Sequence, residues 1–134
     1  MRCASPKDSK YADALARTGA VHCLNVHPSM PSLAEQWTRS AIEDGRALVV
    51  RWMLGAGLKY EEARDRYAPF NRLVDEDAET RGEIAERSIA VAMRDIPVYV
   101  VANNKAEGSA PLTLFALARE IARRRRERGA TPSR

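Results

Sequence analysis

Apolar residues along this chain fall into three short blocks separated by longer amphipathic stretches, and that alternation predicts its elements. Ala20 to Val26 (AVHCLNV) is short, mostly apolar and ended by His27 and Pro28, so it reads as a first strand. Ala47 to Met53 (ALVVRWM) is almost continuously apolar, the pattern of a parallel strand covered on both faces by helices. Val98 to Ala102, introduced by Pro97, reads as the third. Between and around these blocks the period changes to helical. Tyr11, Ala14 and Leu15 share a face after a polar lead (Met1 to about Lys10), and Gly19 stops that helix. Ser32 followed by Glu35 has capping-box spacing, which predicts a helix running through Trp37 to about Glu43, with Gly45 as breaker. Gly55 and Gly57 close the second strand, and a helix over Tyr60 to Tyr67 follows. Pro69 prevents its continuation. Ile84, Ala85, Ile89, Val91 and Ala92 mark a long crossover helix over about Ala78 to Met93. A polar loop, Asn103 to Gly108, leads to a last helix from about Pro111 to Arg126, with proline at the first turn.

Strands that alternate with helices across crossovers of this length are parallel, because a parallel return needs a connection long enough to span the sheet. The fold class is therefore α/β: three parallel strands alternating with helices, the C-terminal part of a TIM-barrel-like (β/α) fold and incomplete as a barrel. A complete eight-stranded barrel takes roughly 200 to 250 residues, and this chain has 134. The organisation expected is a polar lead over 1–10, a partial barrel domain over 11–122 and a basic tail over 123–134.

In parallel α/β proteins, sites form beyond the carboxyl ends of the strands. That rule selects Asn25 and His27 from the first strand, Arg51 and Trp52 from the second, and Asn103, Asn104, Lys105 and Glu107 from the third. Arg51 sits among apolar residues, and a charge buried there needs an acid, a carbonyl or an anion; an internal salt bridge and a ligand contact both remain open. NNKAEGSAP precedes a helix whose first N–H groups have no partner within the helix, an arrangement that attracts phosphate or carboxylate. The bland alternative is that Ser109 caps the helix while Asn103 and Asn104 hold a turn. The ligand-binding candidates are thus Asn25, Arg51, Asn103, Asn104, Lys105 and Ser109. His27 and Glu107 are the candidates for acid or base work, the first because an imidazole titrates near neutrality. No cofactor is assigned. His22, Cys23 and His27 match no zinc spacing, so no metal is expected. Tyr60, Tyr67 and Phe70 are read either as core or as a pocket mouth. Nucleophile-elbow, phosphate-loop, zinc-protease and dinucleotide fingerprints are absent.

Composition changes this picture little. The net charge of +4 equals the run Arg123 to Arg126, so the basic excess is local. Such a run reads first as a solvated helix end and only secondarily as a nucleic-acid contact. No stretch has the roughly 18 uninterrupted apolar residues of a membrane span, and the first ten residues lack a signal-like apolar core. The expected compartment is the cytoplasm. Cys3 and Cys23 form no disulfide framework, and Cys23, inside a strand, is expected as a reduced thiol.

Four stretches, MPSLAEQ (Met30 to Gln36), LVVRWMLGAGLKYEEA (Leu48 to Ala63), YAPFNRLV (Tyr67 to Val74) and VYVVANNKAEGSAP (Val98 to Pro111), resemble in order the C-terminal half of the domain of unknown function 72 family. The resemblance spans Tyr11 to Ala122, and its most specific part is the double asparagine followed by AEG. It implies a TIM-barrel-like fold with Arg51, Asn103 and Asn104 at the barrel mouth, and it implies a fold rather than a reaction. The family's N-terminal strands have no counterpart here, so a truncated or split barrel is expected. Three functions compete on these grounds: a mouth that binds a small anionic or phosphorylated ligand, a non-catalytic fragment stable only with a partner (or a second copy) that supplies strands, and weak nucleic-acid binding through the arginine tail.

Overall fold

The computed structural model describes residues 6–42, 45–55 and 57–130. The order is α1 (Pro6–Thr18), β1 (Cys23–Val26), α2 (Leu33–Ser40), β2 (Leu48–Trp52), α3 (Tyr60–Tyr67), α4 (Ala78–Ala92), β3 (Val98–Ala102), α5 (Asn104–Glu107) and α6 (Ala110–Ala130). The three strands form one parallel sheet in the order β1-β2-β3. Asn25 pairs with Arg51 and Arg51 with Val101, so these three side chains lie in one row across the sheet.

Pleating sends alternate residues to opposite faces, and the two faces differ sharply. Leu24, Leu48, Val50 and Trp52 are buried against Leu33 of α2, Ile84, Ala85 and Val91 of α4, and Leu117 of α6. Burial of each large side chain in this layer stabilises the fold by about 1.5–3 kcal/mol. A smaller cluster, Leu54, Ala63 and Tyr67 with Leu58, Phe70 and Val74 packed on it, anchors α3 beside the strand ends. The other face carries no helix among the described residues. There Arg51 is exposed, Tyr99 is 58% exposed and Val101 54% exposed. The cover expected on both sides of β2 is therefore present on one side only.

Several boundaries move for identifiable reasons. The first strand is confined to Cys23–Val26 because β2 offers partners only from Val49 to Trp52. The polar lead is helical from Pro6, with proline at the first helical position. Ser32 makes the predicted capping box with Glu35, but α2 stops at Ser40 because Ala41 turns left-handed (φ 48°); the expected end at Glu43 lies outside the described residues. The loop between β3 and the last helix contains the single turn α5. That last helix continues past Arg126 to Ala130 because its arginines pair with glutamates one turn away: Arg123 with Glu120 and Glu127, and Arg124 with Glu120. Glu86 of α4 ties the same segment down through Arg124 and Arg128. The basic run is thus the continuation of α6, and residues 131–134 of the expected tail lie outside the description. No helix among the described residues is long and apolar enough to cross a membrane.

Candidate functional site

The carboxyl ends of the strands bring the selected residues to one end of the sheet, where most of the segment from Asn103 to Ser109 is occupied in building the backbone. The Asn103 side chain accepts from the Lys105 N–H at 2.9 Å and so caps α5, while its own N–H donates to the Trp52 carbonyl at 2.8 Å. Asn104 Oδ1 accepts from the Ala110 N–H at 2.8 Å, which fills the start of α6 from within the chain. Ser109 is buried and its carbonyl accepts from the Thr113 N–H. These three residues hold a turn and a helix start.

Glu107 has no solvent-exposed surface. Its Oε2 accepts from Arg81 and from the Asp77 N–H, both at 2.7 Å, and its carbonyl accepts from the N–H groups of Val74 and Asp75. It is a strut between the β3–α6 connection and the start of α4. Its Oε1 is buried without a hydrogen-bond partner among the described residues. Gly108 makes the strut possible. Its φ is +128°, and a Cβ there would lie 2.5 Å from the Arg72 carbonyl oxygen.

Lys105 is placed differently. Its ammonium stands over the Tyr60 ring at 4.2 Å and near Phe70 at 5.7 Å, and it makes no ion pair among the described residues. Two aromatic faces hold the charge without neutralising it. Of the aromatics read as a possible mouth, Tyr60 is exposed whereas Tyr67 is buried. The Tyr67 hydroxyl donates to Asp75 at 2.7 Å, and burial followed by that bond pushes the phenol well above its usual range. The same bond, ahead of the Arg66 contacts, holds the Asp75 carboxyl below the usual range.

Arg51 lies on the open face in the row with Asn25 and Val101, exposed and without an ion pair among the described residues. Of the two outcomes left open for it, the internal salt bridge is absent among the described residues, and the burial that made a counter-charge necessary is absent too, since Arg51 is exposed. Cys23 lies on the same face; its thiol is free, and burial raises it above the usual range while the nearby Arg51 charge opposes the rise. Cys3 lies outside the described residues. Asn25 Oδ1 is buried without a hydrogen-bond partner among the described residues.

Sequence reasoning missed Gln36, which decides how the two sheet edges differ. Val26 accepts backbone bonds from Met53 and Leu54, so Asn25, one residue earlier, directs its backbone away from β2. The Gln36 side chain accepts from the Asn25 N–H at 2.9 Å and donates to the Asn25 carbonyl at 2.9 Å and the Pro31 carbonyl at 2.8 Å. Its amide thereby does for the β1 edge what a neighbouring strand would do. At β3, Pro97 and Asn103 bond towards β2, so Val98, Val100 and Ala102 direct their backbone outwards, and no strand among the described residues pairs with them. No sequence signal distinguishes a glutamine that closes a strand edge from one on a helix surface.

His27 follows β1 directly, and its Nδ1 is engaged with the Ser29 hydroxyl at 2.7 Å and N–H at 3.1 Å. It lines a cleft of about 790 Å³ on the helix side of the strand ends, together with Leu33, Leu54, Asp75, Glu76 and Glu79. The rim of this cleft is acidic, and neither Arg51 nor Lys105 lines it. Among the described residues no cluster of three or more His, Cys, Asp or Glu side chains is placed to hold a metal ion. The strand ends therefore present an acidic cleft containing His27 and an open sheet face that carries Arg51, while Lys105 stands over Tyr60 and Phe70 and lines no part of the cleft. No protein-family model, curated protein or solved structure matches this chain.

Proposed function

We propose that this chain is a docking module: a parallel β/α unit whose sheet is completed by a further polypeptide, as a piece of a TIM-barrel-like assembly would be. The observation that carries the reading is the uncovered face of an all-parallel sheet, with Tyr99 and Val101 each more than half exposed. Parallel sheets are otherwise found covered on both faces, since their strands are apolar on both sides. A second observation points to the same end of the molecule. Five of the nine large apolar side chains exposed among the described residues, Tyr99, Val101, Leu112, Leu114 and Phe115, belong to β3 or to α6, which packs on it. The free hydrogen-bonding edge of β3 is there too, whereas the β1 edge is closed at Asn25. A strand added beside β3 would satisfy that edge, and side chains from the same partner would cover the open face. The resemblance to the domain of unknown function 72 family favours a barrel as the completed form.

The test is a photo-crosslinking side chain introduced at Tyr99 in cells that express the chain. The expected product is a discrete covalent adduct whose mass reports whether the partner is a second copy or another protein. The same group at Tyr11, exposed on α1, is the control. Adducts no more abundant at position 99 than at position 11 would refute the reading.

A second reading is favoured by Arg51 and Lys105, two strand-end cations that make no ion pair among the described residues: a small phosphate or carboxylate ligand bound there. Calorimetric titration with inorganic phosphate checks it, with Lys105→Ala expected to weaken binding and an unchanged affinity counting against it. The third reading, nucleic-acid contact through the run Arg123 to Arg126, is less well supported because Arg123 and Arg124 are engaged by Glu120, Glu127 and Glu86.

A further inference from the structure

We infer that Arg51 selects the partner of the open face: the docking polypeptide presents a carboxylate to Arg51, and the same guanidinium keeps two copies of this chain from covering each other. The inference rests on the docking reading and adds to it the chemistry of what docks.

Two rows of side chains make up the face. Cys23, Val49 and Tyr99 form one; Asn25, Arg51 and Val101 form the other. Arg51 is the single charged member of the six, and it stands at the centre of its row, on the central strand. While the face is open, water solvates the guanidinium. Any partner that covers Tyr99 and Val101 must also take Arg51 out of water, and an uncompensated buried charge outweighs the apolar contacts beside it. A second copy brings no acid in these rows, only another Arg51. Its Asn25 side chain is uncharged, with the Oδ1 buried. A charge set in the middle of an otherwise uncharged face thus works against self-covering. The planar guanidinium fork, in contrast, donates two parallel hydrogen bonds to a carboxylate, so an aspartate or glutamate on an otherwise apolar surface turns the obstacle into a selective contact.

The experiment is analytical ultracentrifugation of the full chain in four forms: wild type, Arg51→Glu, Arg51→Leu, and an equimolar mixture of wild type with Arg51→Glu. The mixture supplies the missing carboxylate. It is expected to form a heterodimer at least about tenfold tighter than either component forms a homodimer, in line with measured couplings of close interfacial charge pairs. Arg51→Leu is expected to self-associate more strongly than wild type, and inorganic phosphate is expected to leave wild-type association unchanged. If Arg51→Leu associates while the mixture sediments as the sum of its parts, the carboxylate inference fails and the docking face survives. If Arg51→Leu does not associate, the docking face fails and the inference with it. If phosphate drives wild-type association, a free anion is the counter-charge and the inference is overturned. Because the Arg51 side chain faces solvent, all forms should share the wild-type far-ultraviolet circular dichroism spectrum; Arg51→Asp replaces Arg51→Glu should that variant not fold.

Discussion

Replacing Glu107 by alanine should cost about 3–5 kcal/mol of folding stability, the range for breaking one partner out of a buried ion pair. Its Oε2 receives two charge-assisted hydrogen bonds of 2.7 Å, from the Arg81 guanidinium and the Asp77 N–H, each worth about 1.5–3 kcal/mol. Removing the carboxylate also strands Arg81, whose side chain is 13% exposed. Its remaining partner, Glu76 at 3.2 Å, is 58% exposed and screened by water, so it offsets little of the loss. The Glu107 carbonyl keeps its bonds to Val74 and Asp75, which sets an upper limit on the damage. Against the roughly 5–15 kcal/mol typical of a domain, the loss is a large fraction, and it should lower Tm by roughly 10 to 20 °C. Urea titration followed by tryptophan fluorescence measures it directly, since Trp52 is fully buried. The electrostatic origin has its own signature. The double variant Glu107→Met with Arg81→Met removes both charges and should recover most of the loss seen in Glu107→Ala. A loss below about 1 kcal/mol in the single variant, or a double variant no better than the single one, would refute the strut.

Three further outcomes follow from the same coordinates. Gly108→Ala places a Cβ 2.5 Å from the Arg72 carbonyl oxygen at a φ of +128°, so it should cost about 1–3 kcal/mol in the same titration; an unchanged midpoint would contradict the close approach. Gln36→Leu deletes four hydrogen bonds, with the Asn25 N–H, the Asn25 carbonyl, the Pro31 carbonyl and, at 3.3 Å, His22 Nε2, and should cost about 2–3 kcal/mol while accelerating hydrogen exchange at the Asn25 amide; continued protection there would show that something else closes the edge. The Glu120 carboxyl is held at about 2 by hydrogen bonds from Arg123 and then Arg124. A carboxylate whose folded value is depressed adds stability that is present above its unfolded value, near 4.3, and is lost as pH falls towards 2. Helical circular dichroism should therefore decline over that window, with a smaller acid dependence in Glu120→Gln; identical acid profiles would rule out this contribution.

Periodicity alone located the three strands and the order of the main helices, because a buried strand, an amphipathic helix and a capping box each follow from spacing over a few residues. Ser32 with Glu35 and the block VYVVA could be read without knowing what lay beside them. The chemistry of the strand ends was less legible. Asn103, Asn104 and Glu107 were correctly placed at the carboxyl end of β3, but the same residue types serve a ligand or a turn equally well, and the choice depends on the Ala110 N–H, Asp77 and Arg81, which reach them only through folding.

What the sequence determined by itself, then, is the alternation of strand and helix and the direction of the chain through it, since both are written in short-range patterns of apolar residues. Which face of the sheet received the helices, which edge Gln36 closed, and that Arg51 ended in solvent were decided by the tertiary structure. An apolar strand looks the same whether its second face is covered by its own chain or left for another, because the hydrophobic effect rewards removal of surface from water and carries no record of what removes it.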